Sequence, residues 1–477
     1  MSQPETAEEQ PALRRVMGPG LLLLFIVGDI LGTGVYALTG DVAAEVGGAA
    51  WVPFLVAFLI ATVTAFSYLE LVTKYPQAAG AALYAHKAFG VQFVTFLVAF
   101  VVMCSGITSA STASRFFAAN FETVLDDAFE WSLGKVGIVI VALVFMALLA
   151  FVNLRGVGES VKLNVVLTII EITGLLLVIL VGLWAFTGGG GDVDFARVVA
   201  FETAQDKNVF LAVTTATSLA FFAMVGFEDS VNMAEETKDP VKIFPKVLLT
   251  GLGIAGAVYV IVAIVAVALV PVGELEASDT PLVEVVKAGA PGLPIETILP
   301  YISMFAVSNT ALINMLMASR LIYGMSRQHV LPPVLGVVHP KRLTPWVAIV
   351  FTTLIAFGLI FYVTAFANSS AISVLGGTTS LLLLAVFAMV NVAVLVLRRD
   401  VRATGGHFKT PTVLPVIGFL ASLYLVLPFS GRATQQYVLA LVLIGIGILL
   451  FFVTMLINRQ LGIRDAGIKD PRDLTAP

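Results

Sequence analysis

The chain has 477 residues, of which 58% are hydrophobic and 12% are charged, and its mean hydropathy is +0.99. A soluble domain carries roughly 25% charged residues, so this composition excludes a soluble globular protein and indicates a chain dissolved in lipid. The net charge of −4 comes with no basic stripe, which argues against a nucleic-acid partner. Cys104 is the only cysteine, so no intramolecular disulfide can form, and the four scattered histidines lack metal-ligand spacing.

The first segment, 1–16, is polar and acidic up to Arg14 and Arg15, and a long apolar run follows it. A cleavable signal peptide instead begins with basic residues and continues into a short apolar core. We therefore expect a cytoplasmic N-terminal tail.

Hydropathy predicts about twelve membrane-spanning helices, because a helix needs about 20 mainly apolar residues to cross a bilayer. We place them at 17–39, 50–73, 90–118, 134–152, 161–186, 209–235, 244–270, 293–324, 345–363, 371–397, 411–428 and 434–457. The longer loops are 119–133, 187–208 and 271–292, and the apolar patch 281–290 predicts a short surface helix in the last of them.

The distribution of basic residues predicts the orientation of these spans. With the N-terminus inside, 21 of the 27 lysines and arginines fall on the cytoplasmic side, which is the asymmetry of the positive-inside rule. The four tryptophans fall at or near span ends, where amphipathic rings prefer to lie. We expect a multi-pass protein of a bacterial inner membrane with both termini in the cytoplasm.

Two spans carry interruptions that a membrane helix tolerates poorly. The first span contains three glycines and Asp29 within 28–36, and the sixth span contains Gly226, Glu228 and Asp229. Each interior glycine costs about 1 kcal/mol of helix propensity, and an ionised aspartate at mid-bilayer costs roughly 2.5–3.5 kcal/mol. Matched interruptions five helices apart, in spans of opposite direction, indicate a transporter binding site.

Unwound backbone at these two places predicts how a solute would bind. The half-helix after Gly32 offers N–H groups and a positive dipole end to a carboxylate. Carbonyls near Ile30 and within 222–225, freed from intrahelical bonds, can accept from an ammonium group. An α-amino acid fits both ends. The alternative interpretation is that the small residues serve close helix packing.

Five segments in order along the chain resemble the amino acid–polyamine–organocation permeases. They are GDILGTGVYALTG (28–40), YPQAAGAALYAHKAFG (75–90), NLRGVGESVKLN (153–164), FFAMVGFEDSVNMAEETKDP (221–240) and SRLIYGMSRQHVLP (319–332). The resemblance implies an all-α membrane protein of the leucine-transporter type with discontinuous helices 1 and 6, working by alternating access. It further implies two inverted five-helix repeats, 17–186 and 209–397, two additional helices in 411–457, and a cytoplasmic tail at 458–477.

The same resemblance assigns the substrate site. Thr33 and Gly34 would hold the substrate carboxylate, and Phe222 would also form an aromatic lid over the pocket. The carbonyls offered to the amine would be those of Ile30, Phe222, Ala223 and Val225.

Two positions depart from the family pattern. Proton-coupled members have a lysine seven residues after the asparagine that matches Asn164, where this chain has Glu171. Asp29 stands where the family has a small apolar residue. We expect Glu171 to take up and release a proton, with Asn314 and Thr310 as neighbours. Alternatively, Asp29 and Glu171 share a sodium ion, or Glu171 stays neutral and hydrogen-bonded for packing.

Glu228 and Asp229 have two interpretations. They can attract a cationic substrate such as arginine, lysine, ornithine or a polyamine, or they can cap the half-helix that follows the break. Capping is favoured for Asp229, whereas neither interpretation is favoured for Glu228. The sequence therefore favours a cationic amino acid only weakly.

Other classes of membrane protein are less consistent with the sequence. A channel needs a continuous polar stripe, and an enzyme needs a metal set, an activated nucleophile or a cofactor motif, none of which is visible here. A non-transporting sensor with a permease-like body stays open. We expect a secondary transporter for an amino acid or related amine, surrounded by lipid, with no cofactor other than a coupling H⁺ or Na⁺. The sequence does not indicate an oligomeric state.

Overall fold

A computed structural model describes residues 17–76, 80–155, 160–203, 207–234, 236–366, 370–400 and 406–460, with only the backbone of 160–164. The predicted tails, 1–16 and 458–477, lie outside these ranges except for 458–460, which form the end of the last helix.

The described residues form α-helices joined by short turns and 3₁₀ segments, with no named β-strand. The helices are α1 (Pro19–Ile30), α2 (Thr33–Val46), α3 (Trp51–Lys74), α4 (Gly80–Phe89), α5 (Gln92–Phe129), α6 (Gly134–Arg155), α7 (Ser160–Phe186), α8 (Val209–Ala220), α9 (Pro240–Leu269), α10 (Val272–Ala277), α11 (Pro281–Gly289), α12 (Ile295–Arg327), α13 (Trp346–Phe366), α14 (Ala371–Leu397), α15 (Val413–Val426) and α16 (Thr434–Gln460).

The all-α fold with about twelve crossings is confirmed. Within the described ranges, eleven stretches are long and apolar enough to cross a membrane, and two of them, Pro19–Val46 and Val209–Met233, are interrupted. The remaining predicted span, 411–428, corresponds to α15, whose 14 residues extend about 21 Å at 1.5 Å per residue. A 3₁₀ turn, Pro428–Ser430, follows it.

Three predictions about the loops were incomplete. α5 continues to Phe129, so most of the predicted loop 119–133 is helical, because hydropathy detects where a helix leaves lipid and not where it ends. The connection between the second and third spans contains the ten-residue helix α4. The predicted short helix in the third loop exists as α11, and its polar residues Glu284 and Lys287 stay partly exposed. Its apolar face is buried through Leu282, Val283, Val285 and Val286.

Three long, closely packed helices lie beside the interruptions between α1 and α2 and after α8. α5 packs along α12 and α14, and its buried middle is rich in small residues, which let membrane helices approach each other. The hydroxyls on this face are satisfied locally, as when Ser111 and Thr112 donate to the carbonyls of Ile107 and Thr108 at 2.8 and 2.9 Å. The α1–α2 break and the α8 break therefore lie against a closely packed wall.

Candidate substrate site at two helix breaks

The first break separates α1 from α2. α1 ends at Ile30, and the N–H of Leu31 still donates to the carbonyl of Val27 at 2.9 Å. Gly32 precedes α2 with a non-helical backbone, and no side chain caps the helix. The first N–H groups of α2 are therefore available to an anion.

The second break follows α8. A 3₁₀ segment, Phe221–Met224, leads into a turn at 225–228, and a second 3₁₀ segment covers Asp229–Met233. Gly226 has φ +123°, a conformation that residues with a Cβ rarely adopt. The α-helix expected after the break is thus a 3₁₀ segment, and Asp229 is its first residue.

The two breaks contact each other directly. A Cβ built on Gly34 would lie 2.3 Å from the Cα of Ala223. One built on Gly226 would lie 2.7 Å from the carbonyl oxygen of Asp29 and 3.0 Å from the nitrogen of Ile30. The glycines therefore permit backbone-to-backbone contact that no other residue type would allow.

A small central cavity lies where the breaks meet. Its volume is about 20 Å³, enough for a water molecule and too small for an amino acid. Its walls are formed by Asp29, Ile30, Gly32, Thr33, Gly34, Ser109, Phe222, Val225, Gly226, Asp229, Thr310 and Asn314. Of the sequence-predicted site residues, seven line this cavity, whereas Ala223 packs behind Gly34, Glu228 lines a neighbouring cavity and Glu171 lines neither.

Several polar groups around the central cavity have no partner. Among the described residues, no group bonds to Asp29 Oδ2, Thr33 Oγ1 or Thr310 Oγ1, although all three side chains are buried. Buried polar atoms are normally hydrogen-bonded, and an exception calls for a ligand or water. Asn314 is partly satisfied, because its amide donates to the carbonyl of Thr310 at 2.9 Å.

Two of the carbonyls expected to receive an ammonium group already accept a hydrogen bond. The hydroxyl of Tyr259, on α9, donates to the carbonyl of Ile30, and the N–H of Val225 donates to that of Phe222 at 3.3 Å. A carbonyl has two lone pairs, so each retains capacity for one further donor. Sequence reasoning missed Tyr259, because nothing in its local sequence connects it to a break some 230 residues earlier.

Glu171 lies on α7 beside the first break, away from the cavity wall. It is 0% exposed, and neither carboxyl oxygen has a partner among the described residues. The hydroxyl of Tyr36 donates to its backbone carbonyl at 3.0 Å. One turn earlier, Thr168 contacts α1, since a Cβ on Gly28 would lie 2.1 Å from its Oγ1. The expected neighbours, Asn314 and Thr310, do not bond to the Glu171 carboxyl group.

Glu228 is used within the second break. Its Oε2 accepts from the N–H of Gly226 at 2.9 Å, which satisfies a backbone donor that the turn leaves without a helical partner. Glu228 also lines a second cavity of about 40 Å³, together with Tyr68, Asn232 and Leu321. Within the described part of the chain, no group of three or more His, Cys, Asp or Glu residues could hold a metal ion.

Comparisons with known proteins agree with this architecture. The chain is 26% identical to a methylthioribose transporter of Bacillus subtilis, over 93% of this chain and 94% of the relative. It is also 26% identical to a branched-chain amino acid permease of the same organism, again over 93% and 94%. A chloroplastic cationic amino acid transporter of Arabidopsis thaliana is 30% identical to this chain, and the match covers 69% of this chain and 60% of the relative. A sequence profile described as amino acid permease matches residues 21–458, so the chain belongs to the amino acid permease family.

Proposed function

We propose that this protein is a secondary active transporter that carries an amino acid across the membrane by alternating access. The observation that carries the proposal is the face-to-face contact of two helix breaks around a cavity with unpartnered polar groups. Irregular backbone at membrane depth is tolerated where it lines a solute site. A channel would need a continuous polar path, whereas the central cavity has a volume of only about 20 Å³.

The α-amino acid is held by the two breaks from opposite sides. Its carboxylate accepts from the free N–H groups at the start of α2, near Thr33 and Gly34. Its ammonium group donates to the remaining lone pairs of the Ile30 and Phe222 carbonyls, and Val225 lines the same cavity. Ala223 sets the spacing by its contact with Gly34. Because the cavity is too small in this state, the walls separate when substrate enters.

Phe222 acts as the lid. Its side chain is buried, and a Cβ on Gly376 of α14 would lie 3.3 Å from its ring. The ring thus lies between the second break and α14, and a change in their separation would uncover the site.

Coupling is assigned to Glu171, which takes up a proton in one state and releases it in another. A buried carboxyl group with two unpartnered oxygens is costly when charged, so it needs a proton or a cation. In the second version of this proposal, Asp29 and Glu171 share a sodium ion. In both versions, the hydrogen bonds donated by the Tyr36 and Tyr259 hydroxyl groups connect α7 and α9 to the first break.

The favoured substrate is a cationic amino acid, and a polyamine or another amine is the alternative. Acidic side chains line the central and second cavities, and the relatives are named as transporters of cationic amino acids, branched-chain amino acids and methylthioribose. An amino acid binds the N-terminal end of α2 through its carboxylate, whereas a polyamine has no carboxylate to place there. A membrane orientation with both termini in the cytoplasm, as predicted from the basic residues, completes the proposal.

Counterflow in proteoliposomes tests the function. Vesicles preloaded with unlabelled lysine, leucine or cadaverine are diluted into labelled compound, and a carrier shows saturable, transient accumulation of the label. Lysine counterflow without cadaverine counterflow would support an amino acid carrier, and the reverse would support the amine alternative. Binding without any flux would support the sensor, and unsaturable flux without counterflow would contradict the carrier.

A further inference from the structure

Asp229 lies at the junction of two cavities. The central cavity and the second cavity share three wall residues, Val225, Asp229 and Asn314. Asp229 begins the second 3₁₀ segment, where its N–H donates to the carbonyl of Gly226 at 3.1 Å. A solute that fills the central cavity and extends into the second therefore passes this carboxylate.

The carboxylate of Asp229 is free, in contrast to that of Glu228. No described residue donates a hydrogen bond to its oxygens or pairs with it, and the residue is partly exposed. Glu228 has one oxygen committed to the N–H of Gly226. Asp29 lines only the central cavity and contacts Gly226 through its backbone. Of the three acids, only Asp229 has a carboxylate without a partner among the described residues and also lines both cavities.

The other residues around Asp229 also favour a polar ligand. Three unpartnered side chains on the central cavity are more than nine-tenths buried: Thr33 is 1% exposed, Asp29 5% and Thr310 6%. No Lys, Arg or His is among the residues that line either cavity. An acidic site without a protein cation, removed from water, attracts positive charge strongly.

We propose that Asp229 is the specificity-determining residue of the site and pairs with a second positive charge at the far end of the substrate. The inference rests on the proposed function: the α-carboxylate binds at the start of α2, and the side chain extends toward the second cavity. There its ammonium or guanidinium group meets Asp229. The residue thereby favours dibasic over neutral amino acids of the same length.

Lysine and norleucine test this pairing, because they differ at the chain end that carries the charge. Binding to the purified full-length protein is measured by ligand-induced thermal stabilisation across a concentration series. The wild type should bind lysine more tightly than norleucine. Asp229→Asn should weaken lysine binding about tenfold to a hundredfold and leave norleucine binding unchanged. Asp229→Glu, which keeps the charge, should restore most of the preference.

Asp192→Asn is the matched control, because it removes one negative charge from an exposed loop residue. It should alter neither affinity.

A wild type that binds both amino acids equally, or an Asp229→Asn variant with the wild-type lysine-to-norleucine ratio, overturns the inference and leaves the amino acid carrier intact. Equal loss of both ligands in Asp229→Asn and Asp229→Glu assigns Asp229 a structural role. Absence of binding and counterflow for every amino acid overturns the proposed function, and the inference with it.

Discussion

At the scale of single residues, the site depends on glycines that let two backbones touch. Gly34 and Gly226 each lie against main-chain atoms of the opposite break, not against flexible side chains. Backbone cannot move aside as a side-chain tip can, so an added methyl group must push the two breaks apart. These positions should therefore be far more sensitive to an added methyl group than glycines with open space around them, such as Gly253.

Gly34→Ala should lower stability by about 1–3 kcal/mol or abolish uptake, because its Cβ would lie 2.3 Å from the Cα of Ala223. Gly253→Ala is the control, since Gly253 lies within α9 and has nothing within 4 Å of its Cβ position. The control should be neutral or more stable by roughly 0.5–1 kcal/mol, because alanine favours helix. Thermal unfolding in detergent and proteoliposome uptake would measure both. Equal effects of the two variants would contradict direct contact between the breaks.

Glu171→Gln should change how uptake responds to ion gradients. The amide fills the same space but cannot exchange a proton, so uptake driven by an imposed pH gradient should be lost while exchange without a gradient persists. Under the sodium version, stimulation by a sodium gradient should be lost instead. Uptake would be measured in vesicles with each gradient imposed separately. Unchanged dependence on both gradients would remove Glu171 from coupling.

At the scale of helices, a buried ion pair ties α3 to the end of α14. The Nε and Nη2 of Arg398 donate to the two carboxyl oxygens of Glu70 at 2.8 and 2.7 Å. The hydrogen bond to Glu70 raises the pKa of the Arg398 guanidinium. The N–H of Thr410 also donates to Glu70 at 2.8 Å, so the segment that leads into α15 is held at the same point. Glu70 has a side chain only 1% exposed, so it depends on these partners.

Arg398→Met should destabilise the protein by about 3–5 kcal/mol, since it leaves the buried Glu70 carboxylate without its cation. Adding Glu70→Gln should recover part of that loss, because a neutral amide is less costly to bury than a charge. The measurement is a double-mutant cycle on unfolding in detergent. Additive losses in the double variant would show that the two side chains do not interact.

Local sequence features predict some of these structural elements, whereas others depend on contacts between distant segments. Hydropathy predicted every crossing, because the requirement for about 20 apolar residues is local. The positions of the breaks followed from glycines and acids that a membrane helix disfavours. In contrast, the burial of α11, the bond from Tyr259 to Ile30 and the position of Asp229 between two cavities depend on contacts between distant segments. From the sequence, capping is favoured over substrate attraction for Asp229, because only the three-dimensional arrangement shows that no described residue partners its carboxylate.

At the level of the complete fold, two further cavities are lined by residues that flank the two breaks. A third cavity of about 310 Å³ is lined by Asp41 of α2, Ser373 of α14 and Arg432. Its lining combines residues of α2, which follows the first break, with Thr215 and Ser218 of α8, which precedes the second break. The second cavity is lined by Asn232, which follows the turn of the second break, and by Ala82 of α4. We expect an alternating-access carrier to open the central cavity to one of these two cavities at a time, so that each of them serves as one route to the site.

Alternating access predicts opposite changes in the accessibility of these two routes. The protein has one native cysteine, Cys104, which is buried, so thiol reagents should report introduced cysteines with little background. In Ser373→Cys and Ala82→Cys, saturating substrate should change the labelling rates several-fold and in opposite directions. A ligand shifts a conformational equilibrium only if it binds the two states unequally, and that shift opens one route as it closes the other. A membrane-impermeant reagent applied to right-side-out vesicles should reach position 373 from the outside, in agreement with the predicted orientation. A pore would keep both positions accessible at the same time, and simultaneous labelling that is insensitive to substrate would therefore contradict the carrier.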